Sequence, residues 1–277
     1  MIARYLLLGT ALLYAQTDTT GRAYDKLEGR WNRALAAELI PWAAPPETTK
    51  FLDYGCTTGA VALRLGVKYP LSEVVGLDPD PAYVQRASLQ TARAKVRFQA
   101  GDLIKLPFRS GEFDSTFSIG GISRASDPNQ AISEMKRVTK PEGLLATAVW
   151  DYGANMLPLN LFWNAATSVD PALSPADGAN TPFSKKGQLE ELWIAAGLRD
   201  VAARSIEVQV PFNNFDDYWT PFLNDPGAAG QWLRAQTEEK RNAVKARLRE
   251  RVLGTLADAP FTLRARAWVV KGIVRYQ

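Results

Sequence analysis

The stretch Phe51-Leu-Asp-Tyr-Gly-Cys-Thr-Thr-Gly59 predicts more of the fold than any other part of this chain of 277 residues. Two apolar residues, typical of a buried strand, lead into Asp53, and a turn containing Gly55 and Gly59 follows. The turn opens onto an apolar pattern of helical type that begins at Ala60. Glycines allow a ligand to approach the backbone, and a helix N-terminus presents unpaired N–H groups. Strand, turn and helix together predict a site for the polar part of a nucleotide-like cofactor.

A second acidic residue follows at the spacing expected for such a site. The apolar run Val74-Val-Gly-Leu-Asp78 ends in Asp78, about 25 residues beyond Asp53. In nucleotide-binding α/β folds a carboxylate at roughly this distance holds the ribose hydroxyls. Its position after a buried strand favours this interpretation over a simple turn cap.

Short apolar runs alternate with helical patterns from Lys50 onward. The predicted strands are Lys50–Tyr54, Val74–Asp78, Val96–Ala100, Phe113–Ile119 and Leu144–Trp150. The predicted helices are Ala60–Tyr69, Pro81–Ala92 and Pro128–Val138. Alternating strands and helices imply βαβ units, and the near-continuous apolar strands imply a sheet covered on both faces.

The last third of the chain completes the sheet and adds a helical segment. Ser184 is the predicted cap of a helix that Gly197 closes. Alternating apolar residues from Ile206 predict one strand, and those from Ala265 predict another. The polar, helical segment between them, about 212–262, is predicted to be an insertion.

Composition excludes several classes of chemistry. The chain contains no histidine, which rules out Ser-His-Asp and Cys-His mechanisms and every histidine-ligated metal site. Cys56 is the sole cysteine, so an internal disulfide and a cysteine-cluster metal site are also excluded. We therefore predict no metal. The 33 basic and 29 acidic residues are too evenly balanced to indicate a nucleic-acid partner.

Residues 1–20 form an apolar N-terminal extension of ambiguous type. Arg4 and the apolar residues 5–15 have the outline of a short signal peptide. The run is too short for a membrane span, which needs about 20 apolar residues. We favour a surface-docked or poorly ordered extension and a cytoplasmic location, because a cytosolic cofactor would be unavailable outside the cell.

Further motifs follow the second acid in a characteristic order. They are Gly101-Asp102, Gly111-Glu-Phe-Asp114, Asp127-Pro128 and Arg137-Val-Thr-Lys-Pro-Glu-Gly143. From about Thr20 to Trp150, the series resembles the class I S-adenosylmethionine-dependent methyltransferases, in the branch of the ubiquinone and menaquinone biosynthesis enzymes. The resemblance implies one domain, residues 21–277, with a Rossmann-like, doubly wound, seven-stranded sheet in three α/β/α layers. The sheet would be mostly parallel with an antiparallel last strand, and the substrate a small molecule.

The resemblance also implies a role for individual residues toward S-adenosylmethionine. Asp53, Gly55, Cys56 and Gly59 would surround its methionine end, and Asp78, with Pro79 beside it, would hold the ribose hydroxyls. Asp102 would accept from the adenine amino group while Leu103 packs on the ring. Ser118, Ile119 and Gly120 would flank the sulfonium. Tyr24 and Trp31 match positions in an N-terminal lid.

Several of these assignments have structural alternatives. Asp102 also suits an Asx-turn, Tyr24 and Trp31 also suit the core, and Asp114 is best explained as a strand cap. Thr57 stands where the family usually has glycine, and its Cβ tolerates positive φ poorly. Two alternatives therefore remain beside the methyltransferase prediction. One is a degenerate cofactor-binding protein, and the other, weaker one is a nicotinamide-dependent oxidoreductase.

The acceptor site is less sharply defined. Ser123, Arg124 and Trp150 are the candidate acceptor residues, and no catalytic base is assigned. Seven aromatic residues either line the acceptor pocket or form the core of the insertion: Trp150, Tyr152, Phe162, Trp163, Tyr218, Trp219 and Phe222. The basic segment 238–251 is explained by a solvated amphipathic helix, which disfavours a nucleic-acid acceptor.

Overall fold

A computed structural model describes residues 19–47, 50–91, 95–153, 156–173 and 181–275. The predicted extension, residues 1–20, lies outside these ranges apart from its last two residues. The strands are β1 (Lys50–Tyr54), β2 (Glu73–Asp78), β3 (Val96–Ala100), β4 (Phe113–Ile119), β5 (Thr139–Trp150), β6 (Arg199–Phe212) and β7 (Phe261–Ile273).

Ten α-helices surround the strands within the described residues. They are α1 (Arg30–Ala43), α2 (Ala60–Lys68), α3 (Pro81–Leu89), α4 (Gly121–Arg124), α5 (Pro128–Val138), α6 (Leu157–Val169), α7 (Gln188–Ala195), α8 (Phe215–Asn224), α9 (Ala228–Arg234) and α10 (Glu238–Leu253). A π-helical turn, Asp25–Gly29, joins helical residues 19–24 to α1. No helix in the described part of the chain is both long and apolar enough to cross a membrane.

The seven strands form one sheet in the order β3-β2-β1-β4-β5-β7-β6. Strands β1 to β5 pair in parallel, and β7 is antiparallel to both β5 and β6. The predicted mostly parallel sheet with an antiparallel last strand is therefore confirmed. Chain order reverses between β1 and β4, which are neighbours, and ligands of open α/β sheets bind at the carboxyl ends of strands at such a point.

Alternating side chains of β1 divide between two hydrophobic cores, one on each face of the sheet. Phe51 packs in the core that includes Leu35 and Leu39 of α1. Leu52 and Tyr54 pack in the core that includes Met135 of α5. Because successive strand residues point to opposite faces, this division produces the three predicted layers.

Most predicted element bounds agree with the structure. β1, β3, β4 and α5 match throughout, whereas β5 begins earlier than predicted, at Thr139. The prediction that Ser184 caps a helix was wrong. The chain first makes a turn in which Gln188 N–H donates to the Lys185 carbonyl, and α7 then begins after Gly187, whose φ is 89°.

The segment between β6 and β7 consists of α8, α9 and α10. Val244 and Leu248 of α10 are completely buried, so the apolar stripe of this basic helix faces inward. Lys240 and Lys245 form ion pairs with Asp170 and Asp216 at 2.6 and 2.7 Å. These contacts explain α10 as a packed amphipathic helix.

Candidate active site

The glycine turn after β1 has the backbone that its sequence predicts. Gly55, Thr57 and Gly59 have φ values of 68°, 46° and 88°. A Cβ on Gly55 would lie 2.7 Å from the Cα of Gly121, at the start of α4. Glycine is therefore required at this position, where the carboxyl ends of β1 and β4 meet.

The two acids at the ends of β1 and β2 are both buried. Asp53 is 1% exposed and accepts a 2.8 Å hydrogen bond from Ala62 N–H in α2. Burial raises the pKa of Asp53 to about 7, against the lowering effect of that hydrogen bond. Asp78 is fully buried and accepts hydrogen bonds from Thr57 N–H at 2.8 Å and Asp80 N–H at 3.0 Å.

Arg124 completes the partners of Asp78. Its Nη2 lies 3.0 Å from Asp78 Oδ2 and 2.8 Å from the carbonyl oxygen of Gly55. The carboxylate predicted to hold ribose therefore binds a guanidinium and two backbone donors. Arg124 was predicted as an acceptor residue. In the structure it contacts Gly55 and Asp78, two residues predicted to bind the cofactor.

A cavity of about 390 Å³ opens at the carboxyl ends of β4 and β5. Its walls come from the N-terminal helix (residues 19–43), the glycine turn, α3, α4, the two strand ends, residues 181–182 and the insertion. The lining residues are Tyr24, Glu28, Asn32, Thr57, Tyr83, Ile119, Gly120, Ser123, Arg124, Trp150, Tyr152, Thr181, Pro182, Asp225 and Gly227. The volume lies in the range of small-molecule sites, about 300–1,000 Å³.

Three residues of the N-terminal helix, Tyr24, Glu28 and Asn32, face this cavity at intervals of four. Asn32 Nδ2 donates to the Tyr24 hydroxyl at 2.7 Å, and Trp150 Nε1 donates to Asn32 Oδ1 at 2.9 Å. These bonds attach the helix to the end of β5. Glu28 lies in the π-helical turn, a distortion that recurs at functional sites.

Asp25 attaches the same helix to the cofactor side of the site. Its Oδ1 accepts from the Thr58 hydroxyl at 2.6 Å, and its Oδ2 accepts from Arg86 Nε at 2.8 Å. Arg33 Nη1 lies 3.2 Å from Oδ1. This acid therefore joins the N-terminal helix, the glycine turn and α3.

Burial is the main cause of the shifted pKa values of the acidic and tyrosine side chains that line the cavity. Burial, with a smaller contribution from Asp225, raises the pKa of Glu28 to about 7. Burial likewise raises the pKa of Asp225, whose carboxylate accepts from Gly227 N–H at 3.0 Å. The pKa values of Tyr24, Tyr83 and Tyr152 are raised by burial, so their hydroxyls keep their protons at neutral pH.

The structure brings part of the predicted site together around the cavity. The predicted residues that line it are Tyr24, Ile119, Gly120, Ser123, Arg124 and Trp150. Gly55, Cys56 and Gly59 lie in the turn behind Thr57, where Gly55 and Cys56 N–H donate to the Leu77 carbonyl at 2.8 and 2.9 Å. Ser118 is fully buried, and its Oγ accepts from Gly121 N–H.

The remaining predicted residues lie away from the cavity. Trp31 is 2% exposed and packs in the core against Phe212, with ring centroids 6.2 Å apart. Pro79 and Asp102 are exposed, and Leu103 is buried. Asp102 Oδ1 accepts from Ile104 N–H at 2.9 Å, the Asx-turn that the sequence analysis gave as its alternative.

The aromatic cluster of the sequence analysis divides between site and core. Trp150 and Tyr152 line the cavity. Phe162 instead stacks on Phe222 at 4.6 Å, and Tyr218 packs edge-on against Phe222 at 5.4 Å. Most of this cluster therefore lies in the core between α6 and the insertion.

Sequence reasoning missed Glu28, Asn32, Tyr83 and Asp225. The spacing of Tyr24, Glu28 and Asn32 was a signal for a shared helix face. No comparable signal marks Asp225, which lies about 200 residues from Glu28 along the chain. Within the described residues, no group of three or more Asp, Glu, His or Cys side chains is arranged to hold a metal ion.

Comparison with known proteins agrees with this geometry. Residues 52–147 match the family model described as a methyltransferase domain. Demethylmenaquinone methyltransferase of Deinococcus radiodurans is 36% identical over 118 residues, covering 42% of this chain and 47% of that protein. The 2-methyl-6-phytyl-1,4-hydroquinone methyltransferase of Synechocystis sp. is 34% identical over 195 residues, covering 58% and 60%. The chain thus spans about half the length of these curated relatives.

Solved structures share the fold at low sequence identity. The YcgJ protein of Bacillus subtilis superposes with a TM-score of 0.54 at 21% identity, covering 87% of this chain and 98% of that one. A Haemonchus contortus phosphoethanolamine N-methyltransferase, bound to S-adenosylhomocysteine, superposes with a TM-score of 0.55 at 17% identity, covering 94% and 58%. The chain therefore has the Rossmann-like fold of these solved structures, and its residues 52–147 match the model of a methyltransferase domain.

Proposed function

We propose that this protein is an S-adenosylmethionine-dependent methyltransferase of a small-molecule acceptor. The observation that carries the proposal is the cavity that extends from Thr57 of the glycine turn to Trp150 at the end of β5. It lies beside the point where strand order reverses, the ligand-binding position of this class of sheet. The methyltransferase domain match and the quinone-methylating relatives support the same activity.

The residues around β1 and β2 fit the proposed cofactor. The positive φ values of the turn allow a ligand to approach the backbone, and Thr57 N–H, three residues before α2 begins, donates to Asp78. Ribose hydroxyls are donors, so they would replace the guanidinium of Arg124 as partners of Asp78. Asp53, Gly55 and Gly59 would surround the methionine end, and Asp102 and Leu103 would contact adenine. The cofactor would supply an electrophilic methyl group: an acceptor lone pair would form the new bond to the methyl carbon, and the S–C bond would break with its electrons going to the departing sulfur.

The dimensions and walls of the cavity favour a small, partly apolar acceptor. Trp150, Tyr152 and Tyr83 supply aromatic surface, and Ser123 and Arg124 supply polar contacts. Alignment of this acceptor with the methyl group is the main catalytic contribution that such a cavity can make, worth up to about 7–11 kcal/mol. We place the enzyme, with residues 21–277 as its domain, in the cytoplasm, where the cofactor is made.

Calorimetric titration with S-adenosylmethionine and S-adenosylhomocysteine tests the proposal, with NADH as the comparison ligand. We expect micromolar binding of both sulfur nucleotides and its loss in Asp78→Asn, because the neutral amide cannot form charge-assisted bonds to the ribose. Asp216→Asn is the matched control, since Asp216 lies on the insertion in an exposed ion pair with Lys245. Preferential binding of NADH, or binding of none of the three ligands, would contradict the proposal.

A further inference from the structure

The function proposed above assigns no role to Glu28, one of the two acidic side chains that line the cavity. It projects from the π-helical turn Asp25–Gly29 and lines the cavity together with Gly120 and Tyr152, at the ends of β4 and β5. No hydrogen bond or ion pair to its carboxylate is found within the described residues. By contrast, Asp25 in the same turn has Thr58, Arg86 and Arg33 as partners. An acid without partners inside a cavity is available to a ligand.

The groups that face Glu28 come from every wall of the cavity. The negative charge of Asp225, after α8, raises the pKa of Glu28, and the positive charge of Arg124 in α4 lowers it. Three tyrosines, Tyr24, Tyr83 and Tyr152, contribute neutral hydroxyls. Asp225 is already held by the N–H groups of Gly227 and Gly230, and Arg124 by Asp78 and Gly55. Glu28 is therefore the charged group of this cavity that remains free to exchange a proton with a ligand.

Glu28 lies in the cavity between the cofactor side and the acceptor side of the site. Asp78 ends β2 and Asp102 follows β3, on one side of β1, whereas Gly120 follows β4 and Trp150 ends β5, on the other. The cavity that Glu28 lines extends from Thr57 across the ends of β4 and β5. A cofactor whose ribose lies at Asp78 would direct its sulfonium from the glycine turn toward this side.

We infer that Glu28 is the proton acceptor of the reaction and that the acceptor molecule is a phenol-type hydroxyl compound. This inference rests on the function proposed above. The hydroxyl oxygen forms the new C–O bond with its lone pair, the S–C bond breaks with its electrons going to sulfur, and the O–H proton passes to a Glu28 carboxylate oxygen. The proton later leaves to water. The aromatic walls formed by Tyr24, Tyr83, Trp150 and Tyr152 suit a planar ring.

The burial that raises the pKa of Glu28 to about 7 matches this role, because a general base works best when its pKa lies near the operating pH. A carboxylate with this raised pKa holds the transferred proton with little cost near neutral pH. A carboxylate with the ordinary pKa would be a much weaker base.

Proton release on cofactor binding tests the position of Glu28 without any acceptor. S-adenosylmethionine carries a sulfonium charge that S-adenosylhomocysteine lacks, and a nearby positive charge favours the carboxylate. Calorimetry at pH 7 in buffers of different ionisation enthalpy measures the protons released by each ligand. We expect S-adenosylmethionine to release up to about half a proton more than S-adenosylhomocysteine.

The decisive comparison is between the wild type and Glu28→Gln. The amino groups of the two ligands release the same protons in both proteins, so only the part of the difference in proton release that depends on Glu28 can change. We expect the Glu28-dependent part to disappear while S-adenosylhomocysteine affinity stays within about threefold. Glu38→Gln, an exposed position on the same helix, is the matched control and keeps the wild-type difference. Glu28→Met, of similar volume, replaces the glutamine variant if that protein does not fold. If the two ligands still differed as much in proton release in Glu28→Gln as in the wild type, Glu28 would not lie beside the sulfonium, and the inference would be wrong.

A panel of phenol, catechol and hydroquinone tests the reaction itself. We expect the wild type to methylate at least one of them, with kcat rising between about pH 6 and 8. Glu28→Gln would lower kcat by about 100-fold or more and remove that rise, with a smaller change in KM for the cofactor. Cofactor binding without methylation of any of the three would overturn the acceptor class. Failure of the wild type to bind either sulfur nucleotide would instead overturn the proposed function, and this inference with it.

Discussion

Thr57 holds a conformation that suits glycine, at the point where the turn meets the cavity. Its φ of 46° is left-handed, and it lies between Gly55 and Gly59, which have the same sign of φ. A β-branched residue in this region is strained by of order 1–3 kcal/mol. The backbone N–H of Thr57 nevertheless donates to Asp78, so the strained residue holds the carboxylate that we expect to bind ribose.

Replacing Thr57 with glycine is expected to strengthen cofactor binding. The substitution removes a Cβ and a methyl group from the cavity wall while keeping the N–H bond to Asp78. We expect the affinity for S-adenosylmethionine to rise about three- to tenfold, equivalent to about 1 kcal/mol, measured by calorimetry. Thr57→Ser keeps the Cβ and serves as the control with near wild-type affinity. Unchanged or weaker binding by Thr57→Gly would show that Thr57 does not restrict the site.

The N-terminal helix forms a wall of the site because two of its polar residues, Asp25 and Asn32, attach it to the rest of the fold. Asp25 bonds to Thr58 and Arg86 at the cofactor side, and Asn32 bonds to Trp150 at the acceptor side. Glu28 lies between these attachments in the π-helical turn. The helix therefore supports the cavity through a small number of buried polar groups in addition to its apolar packing.

Removing the charge of Asp25 is expected to weaken this wall. Asp25→Asn leaves Arg86 and Arg33 without their carboxylate partner at a site only 6% exposed. Loss of one partner of a buried pair costs about 3–5 kcal/mol, and we expect about 2–4 here because the arginines are partly exposed. Urea unfolding measures this loss, and calorimetry would show weaker cofactor binding. A stability equal to that of the Glu38→Gln control would contradict the role given to Asp25.

Buried acids make the stability of the whole molecule depend on pH. The pKa values of Glu28 and Asp53 are raised to about 7 by burial, from ordinary values of 4.5 and 3.8. An acid whose pKa is raised in the folded state favours folding fully below its unfolded pKa. That contribution is lost as pH rises through the folded value. Because of these two groups, the free energy of unfolding falls as the pH rises from about 4 to 8.

The Glu28→Gln variant is expected to reveal this dependence. Glutamine cannot ionise, so the variant avoids the cost of charging a half-buried group. We expect its free energy of unfolding to equal that of the wild type near pH 5 and to exceed it by about 1–3 kcal/mol at pH 8.5. Urea titrations at both pH values measure this. A difference that is the same at pH 5 and pH 8.5 would show that the pKa of Glu28 is not raised.

Local properties of the chain were enough to predict the layers of the fold and the turn. The positive φ values at Gly55 and Gly59 and the period-2 burial of β1 depend on neighbours within a few residues, which the sequence displays directly. The same locality explains α5, which begins after Asp127 as predicted, with the Asp127 side chain accepting from Asn129 N–H.

The contents of the cavity were decided by tertiary structure. Arg124 meets Asp78 across 46 positions of the chain, and Asp225 approaches Glu28 from the distant insertion. Trp31 and Phe222 entered the core instead of the site because burial of their rings depends on which elements pack on them. Sequence alone determined that this chain forms strand, glycine turn and helix in order, since those are local steric choices. The partners of each charge required the folded molecule, because charges find partners through space.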